Sequence, residues 1–356
     1  RPHQILPRVG LPQISSVITA GTLLVFLYTI SDFGAVQLMR YDTLARSIYT
    51  SQLGNQSVAL ALSLILLVLA GIIVTTERFF SRINFTTNET LVGEPTQYSL
   101  GKWRLPALGF VIFTVLLSIG APLLALGNWA TDGLIRTTRG GSPLTIDADQ
   151  VWESTWNTFS ISVIAGLVTV AAILPIAYLT ARYKSRVGNI AHSVVIATFA
   201  LPGILIALAM RFWTLQSDWA YDLVNNTKVL LVFSYAVRFG SLAIGVVLLA
   251  VSFVPKRLHD AGKILGAKRV SRLLRIDLPI MAPGLGAAAG LVILSTMKEL
   301  PITLLISPLG FSTLSTRIFS SFEEAFVAEA GIMALILIGL SAVLTWFLVI
   351  RKAEHI

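Results

Sequence analysis

The sequence contains no cysteine and is poor in charged residues. Asp, Glu, Lys and Arg make up only 13% of its 356 residues, whereas a typical soluble domain has about 25%. Without cysteine, these residues form no disulfide, no thiolate metal site and no thiol nucleophile. The four histidines are scattered, so they predict no histidine metal cluster: His3, His192, His259 and His355.

Several nucleotide-binding and catalytic motifs are also absent from the sequence. It has no Gly-x-x-x-x-Gly-Lys-Ser/Thr pattern, so we expect the chain not to bind ATP through a P-loop. It has no His-Glu-x-x-His and no Gly-x-Ser-x-Gly either, which argues against a membrane protease or hydrolase. We therefore expect neither an enzymatic activity nor a cofactor in this chain.

The apolar residues, by contrast, occur in long runs. Hydrophobic residues make up 55% of the chain, and its mean hydropathy is +0.78. A run of about 20 residues, rising about 1.5 Å per residue, crosses a hydrocarbon core of about 30 Å. The pattern predicts an all-α polytopic membrane protein with about eight transmembrane helices. The predicted spans are 13–38, 57–76, 105–127, 158–181, 188–210, 229–253, 282–306 and 327–350.

The distribution of basic residues predicts how these spans are oriented. Of the 27 Lys and Arg, eighteen fall on one side of the membrane and seven in the loops of the other side. Loops rich in Lys and Arg stay in the cytoplasm, so we expect both ends of the chain to be cytoplasmic. The positive charge follows the topology. We therefore expect membrane lipid, and not nucleic acid, as a partner. The basic segments are 1–12, 77–104, 182–187, 254–281 and 351–356.

A short pattern recurs near both ends of the sequence. The run Arg275-Ile276-Asp277-Leu278-Pro279 matches Arg8-Val9-Gly10-Leu11-Pro12 at an offset of 267 residues. The same offset places Glu299 on Asp32, and each acid lies deep in a predicted apolar run. A membrane protein that repeats a basic loop and the acid behind it is typical of a two-fold transport pathway.

Four charged residues fall within or at the ends of the predicted spans: Asp32, Arg238, Lys298 and Glu299. A carboxylate at the bilayer centre costs about 2.5–3.5 kcal/mol on insertion scales, so it usually faces a cavity or a partner. Pro301 cannot donate a hydrogen bond to the carbonyl of Met297, which predicts a broken helix turn beside Glu299. Two interpretations stay open, carboxylates that line the pathway or ion pairs that hold or gate the structure.

The basic segment 255–279 has an apolar set near helical spacing. By charge alone it is either a short helical element that fits a partner's groove or a loop that fixes topology at anionic headgroups. Its spacing resembles the EAA loop of ABC-importer permeases, which is Glu-Ala-Ala, three residues, Gly, nine residues and Ile-x-Leu-Pro. The residues at these positions are Asp260, Ala261, Gly262, Gly266, Ile276, Leu278 and Pro279, with two departures: Asp260 replaces Glu and Gly262 replaces the second Ala. The resemblance implies that this loop contacts an ATP-binding subunit.

The resemblance extends to fused ferric-iron permeases, through Lys298-Glu299-Leu300-Pro301 and the later Gly310-Phe311-Ser312-Thr313-Leu314. Such permeases have the type I importer fold, with two six-helix halves in one chain. The resemblance implies three segments: the end of a first half at 1–77, a cytoplasmic linker at 78–104 and a complete second half at 105–356. We expect the sequence to be the C-terminal part of a longer chain, without about four spans and most of the first loop.

The implied function is that of the permease subunit of an ATP-driven, binding-protein-dependent importer in the bacterial inner membrane. Its partners would be two ATP-binding cassette subunits in the cytoplasm and an extracytoplasmic solute-binding protein. Ferric iron is the substrate that the resemblance favours, while thiamine, polyamine, sulfate and phosphonate permeases share the architecture. An ion-coupled secondary carrier is the rival class, and it would not need the long basic loop.

Overall fold

The fold was examined in a computed structural model. It describes residues 11–84, 101–138, 148–255 and 268–347, together with 257, 258 and 264. The elements in these ranges are helices, in agreement with the predicted all-α class. Their length follows from the long apolar runs, because a helix satisfies every backbone hydrogen-bonding group within its own segment.

The N-terminal part consists of four helices, of which two are long. Helix α1 ends just before Asp32, and the short α2 and α3 lead into the long α4. Thr43 caps α3, since its hydroxyl accepts a hydrogen bond from the Arg46 amide at 3.3 Å. The four helices are α1 (Leu11–Ser31), α2 (Gly34–Leu38), α3 (Leu44–Gly54) and α4 (Gln56–Asn84).

The next helices begin with one that is largely exposed. Helices α5 and α6 join through a π-helical turn at Leu116–Gly120 into one helix of membrane-spanning length, Gly101–Gly133. None of the residues in the most apolar stretch of this helix is buried, as expected for a helix that faces lipid. The elements here are α5 (Arg104–Val115), α6 (Ala121–Thr138), α7 (Ala148–Ala181), α8 (Arg186–Ala197) and α9 (Gly203–Gln216).

The core forms where α7 packs against two later helices. These are α11 (Lys228–Ser252) and α13 (Leu278–Met297). Gly166 lies where α7 and α13 approach each other closely, because a Cβ there would be 2.7 Å from Ile293 Cγ1 and 3.1 Å from the Ala289 carbonyl oxygen. The other elements are α10 (Asp218–Val224), α12 (Arg269–Arg272), α14 (Pro301–Ile306), α15 (Leu314–Glu323) and α16 (Val327–Thr345).

Two of the predicted spans are interrupted in the structure. In place of 188–210, α8 and α9 meet at an angle of 112°, with Leu201 and Pro202 between a 3₁₀ turn and α9. In place of 282–306, α13 ends at Met297 and α14 begins at Pro301, so Glu299 lies in the break. The broken turn predicted beside Glu299 is confirmed.

The count of spans depends on how these breaks are treated. Six helices among the described residues are long and apolar enough to cross a membrane, or seven if the bent α8–α9 pair is one span. The remaining predicted span, 13–38, corresponds to α1, which ends at Ser31, and to the separate α2. With α1, which is 21 residues long, and with the bent pair counted as one span, the helices agree with the predicted count of about eight.

The internal repeat is visible as a repeated order of elements. The Asp32 amide donates to the Thr29 carbonyl at 3.2 Å, and 267 residues later the Glu299 amide donates to the Thr296 carbonyl at 3.0 Å. Each acid is followed by a short helix, α2 or α14, and then by a threonine-capped helix, α3 or α15. The sequence offset therefore corresponds to equivalent local structure.

Candidate functional site

Asp32 and Glu299 line one cavity, although they are far apart in the sequence. This cavity has a volume of about 130 Å³, and Arg238 and Lys298 also line it. A neighbouring cavity of about 360 Å³ shares Tyr28, Arg238, Lys298 and Glu299 with the first cavity. The structure thus brings together the four charged residues that the sequence singles out.

The Glu299 carboxylate lies where three helix breaks and ends converge. Its Oε1 atom accepts a hydrogen bond from the Ile302 amide at 3.4 Å, in the first turn of α14. A Cβ added to Gly203, the first residue of α9, would be 2.5 Å from the same oxygen. The carboxylate therefore lies at the N-terminal ends of α9 and α14.

Arg238 projects from α11 toward the break between α8 and α9. Its guanidinium donates a hydrogen bond to the carbonyl oxygen of Leu201, immediately before Pro202. That carbonyl lies where the regular helix has stopped, so the arginine satisfies a backbone acceptor that the break would leave free. Arg238 therefore holds the broken span next to the cavity.

The four charged groups line the same cavity without forming close ion pairs. Among the described residues, a salt bridge within 4.0 Å joins Arg46 to Asp42, at 2.6 Å, and none joins two of these four groups. Lys298 is exposed, while Asp32 and Glu299 are half-buried. Two cationic and two anionic groups thus surround a cavity with balanced formal charge.

The backbone around Glu299 is fixed by hydroxyl groups that the sequence did not indicate as site residues. Thr303 and Ser315 both donate to the Glu299 carbonyl oxygen, at 2.7 and 3.0 Å. The Tyr235 hydroxyl lies 2.6 Å from Thr303 Oγ1. Since Thr303 donates its proton to Glu299, Tyr235 is the donor in that pair. The hydroxyl groups of Tyr235, Thr303 and Ser315 give no signal in a hydropathy pattern.

The two repeats also contact each other beside the cavity. Phe33 lies 4.9 Å from Tyr49 and 6.0 Å from Phe319, measured between ring centroids. The Gln37 side chain donates to Glu323 at 3.3 Å, which links α2 to α15. Burial and, secondarily, the Glu323 carboxylate raise the pKa of Tyr49, so its phenol stays neutral.

The EAA-like motif is described only in its second part. Asp260, Ala261, Gly262 and Gly266 lie outside the described residues. Ile276, Leu278 and Pro279 are described, and they span the junction between a π-helical turn, Leu273–Asp277, and the start of α13.

Comparisons with known proteins bear on the family. The model of the family described as binding-protein-dependent transport system inner membrane component matches residues 173–352. The Fe(3+)-transport system permease protein FbpB 2 of Haemophilus influenzae is 29% identical over 339 residues, which is 93% of this chain. The chain spans 65% of that relative's length.

More distant similarities share the architecture. The putative 2-aminoethylphosphonate transport system permease protein PhnV of Salmonella typhimurium is 23% identical over 41% of this chain and 54% of its own length. The structure of a bacterial alginate ABC transporter, solved with an alginate pentasaccharide-bound periplasmic protein, matches with a TM-score of 0.53 and 17% identity. That match covers 69% of this chain and 92% of the other, and it shows the fold alone. Because the family model covers half of the sequence, the chain belongs to the family of binding-protein-dependent transport system inner membrane components.

Proposed function

We propose that this chain is the permease part of an ATP-driven importer that works by alternating access. The observation that carries the proposal is the shared cavity of Asp32 and Glu299, each placed by the same local structure in its own repeat. A pathway at the interface of two repeats, beside discontinuous helices, is common in transporters that are built from internal repeats. ATP hydrolysis would belong to a separate partner chain.

The proposed partners follow from the predicted orientation. Two ATP-binding cassette subunits would dock in the cytoplasm on the loop at 255–279, whose EAA-like spacing supports this contact. A solute-binding protein would dock outside, on the loops at 128–157 and 306–326. The proposed division is the end of one half at 1–77, a linker at 78–104 and a second half at 105–356.

Ferric iron is the proposed substrate. Its support is the similarity to FbpB 2 along 93% of the chain, together with the Glu-Leu-Pro and Gly-Phe-x-Thr-Leu segments. No group of three or more potential metal ligands occurs among the described residues, so the proposal does not rest on a metal site. The similarity to PhnV keeps a phosphonate as the second candidate substrate.

The charged residues around the cavity are proposed to close the pathway. Glu299 contacts α9 at Gly203, and Arg238 contacts the Leu201 carbonyl, so both act on the bend between α8 and α9. Movement of that bend away from Glu299 would join the two cavities. This favours a gating role over direct ligation of the substrate.

Uptake of radiolabelled iron by cells that express the full-length protein with its ATPase and binding protein tests this function. We expect uptake that requires all three components and that is lost when residues Gly266 to Lys268 are deleted. The matched control deletes the three residues Gly93 to Pro95 from the proposed linker at 78–104. Uptake that continues without the ATPase, or after the first deletion, would favour a secondary carrier. Uptake of a phosphonate in place of iron would correct the substrate.

A further inference from the structure

A second buried polar cluster lies at the other end of α7, away from the cavity. The Tyr178 hydroxyl donates a hydrogen bond to Asp277 Oδ2 at 2.5 Å. Asp277 is only 1% exposed, and Arg272 is 5% exposed. Asp277 stands between Ile276 and Leu278, at the position that the Ile-x-Leu-Pro pattern leaves open, so the motif itself does not require an acid there.

The polar atoms of this cluster are not fully satisfied. Asp277 Oδ1, Arg272 Nε and Arg182 Nε are buried and have no hydrogen-bond partner. Arg182 instead donates from Nη2 to the Val254 carbonyl at 2.5 Å. A buried carboxylate that loses its one hydrogen-bond partner is left unpaired, and this costs free energy. The Tyr178 hydroxyl is therefore the group that keeps Asp277 in place.

The outer end of α7 has polar attachments of its own. The Thr158 hydroxyl accepts a hydrogen bond from the Leu314 amide at 2.8 Å, and Asn157 donates to the Ser312 carbonyl at 3.2 Å. Ser315, in the first turn of the same helix α15, donates to the Glu299 carbonyl. Thr158 and Tyr178 are 20 residues apart, or about 30 Å along a helix.

Helix α7 thus connects the EAA-like segment to the segment that carries Glu299. It packs closely on α13 at Gly166, which limits sliding between the two helices. Packed helices and interiors respond to a displacement as units, since they deform little. A shift of the π-helical turn Leu273–Asp277 is transmitted to α7 through the Tyr178–Asp277 hydrogen bond.

We propose that Tyr178 and Asp277 are positioning residues that transmit movement of the ATPase-docking loop to α7 and so to the outer gate. The proposal rests on the proposed function. It predicts that loss of this hydrogen bond separates ATP hydrolysis from transport while both subunits remain assembled.

The test uses the full-length protein with its ATPase subunits in proteoliposomes, with the binding protein and iron present. Tyr178→Phe, which removes the donor, and Asp277→Leu, which removes the acceptor, should each lower the amount of iron transported per ATP hydrolysed by about fivefold or more. The double variant should be no worse than either single variant, because both remove the same interaction. Tyr183→Phe is the control, since that ring lies 6.2 Å from Tyr178 and its side chain is 58% exposed.

An unchanged ratio of transport to hydrolysis in the variants would overturn the proposal. So would equal losses of transport and hydrolysis, which indicate a structural role only. If the wild-type complex transports neither iron nor a phosphonate, the proposed function fails, and a second measurement still tests the connection.

The second measurement places a spin label at Leu274→Cys, in the π-helical turn, where the side chain is 56% exposed. The 356 residues contain no other cysteine to label. Label mobility in the purified full-length protein should increase in Tyr178→Phe and Asp277→Leu and stay unchanged in Tyr183→Phe. Equal mobility in all four proteins would show that the hydrogen bond does not hold the turn.

Discussion

Glu299 Oε1 occupies the space that a side chain on Gly203 would need. A Cβ at Gly203 would be 2.5 Å from this oxygen, and the Ile302 amide donates to the same oxygen at 3.4 Å. The absence of a side chain at residue 203 therefore allows the carboxylate to reach the start of α9. This contact joins the two interrupted spans beside the cavity that Asp32 lines from the other repeat.

Gly203→Ala should lower transport with little effect on stability. The carboxylate is the far end of a flexible side chain, so it can move away from the new methyl group at a small cost in folding free energy. Uptake should fall about tenfold, as expected for the loss of one hydrogen bond to a charged group. Uptake and thermal unfolding of the purified protein measure the two effects.

Two further variants control this experiment. Gly245→Ala, where a Cβ has nothing within 4 Å, should change neither measurement. Shortening the acid with Glu299→Asp in the Gly203→Ala background should recover part of the uptake. Full uptake in Gly203→Ala alone would show that the contact between Glu299 and α9 is not needed.

Neutralising the two repeated acids separates a role in the pathway from a role in packing. Glu299→Gln should reduce uptake about tenfold because the amide keeps the size of the side chain but loses the charge held at the helix ends. Asp32→Asn should have a smaller effect. Uptake is measured at equal membrane abundance, with Asp222→Asn as the control. Unchanged uptake in the double variant Glu299→Gln, Asp32→Asn would show that transport needs neither carboxylate, in the pathway or in packing.

Much of this site could be predicted from the sequence, because its signals are local or periodic. The offset of 267 residues placed Asp32 and Glu299 in equivalent positions, and Pro301 indicated the break beside Glu299. The bend of 112° at Leu201 and Pro202 was not predicted. A proline in an apolar run is compatible with a mild kink as well as with a full break.

The contacts between distant segments were beyond the reach of the sequence pattern. Tyr178 and Asp277 are 99 residues apart, and neither belongs to the fixed positions of the EAA pattern. The position of Gly203 against Glu299 likewise depends on how the bent span packs. Hydropathy indicates which segments are apolar, but side-chain partners are set by the tertiary arrangement of the helices.

Removing an aromatic ring between the two repeats should destabilise the protein. Phe319 is 7% exposed and packs against Phe33 and Tyr49. Phe319→Ala should lower the free energy of unfolding by about 3 kcal/mol, the usual cost of removing a buried aromatic ring. Phe233→Ala, at a position 50% exposed, is the control. Equal unfolding midpoints for the two variants would show that the repeats do not depend on this cluster.

Gly166→Ala should have the opposite profile to Gly203→Ala. Its new methyl group would meet Ile293 Cγ1 at 2.7 Å and the Ala289 carbonyl oxygen at 3.1 Å, and a backbone oxygen cannot rotate away. Overpacking of this kind costs about 1–3 kcal/mol, so thermal unfolding should occur at a lower temperature. Ile293→Ala in the same chain removes Cγ1 and Cδ1, so it should restore part of the loss. Wild-type stability in Gly166→Ala would mean that α7 and α13 can separate freely, which would also remove the close packing on which transmission along α7 depends.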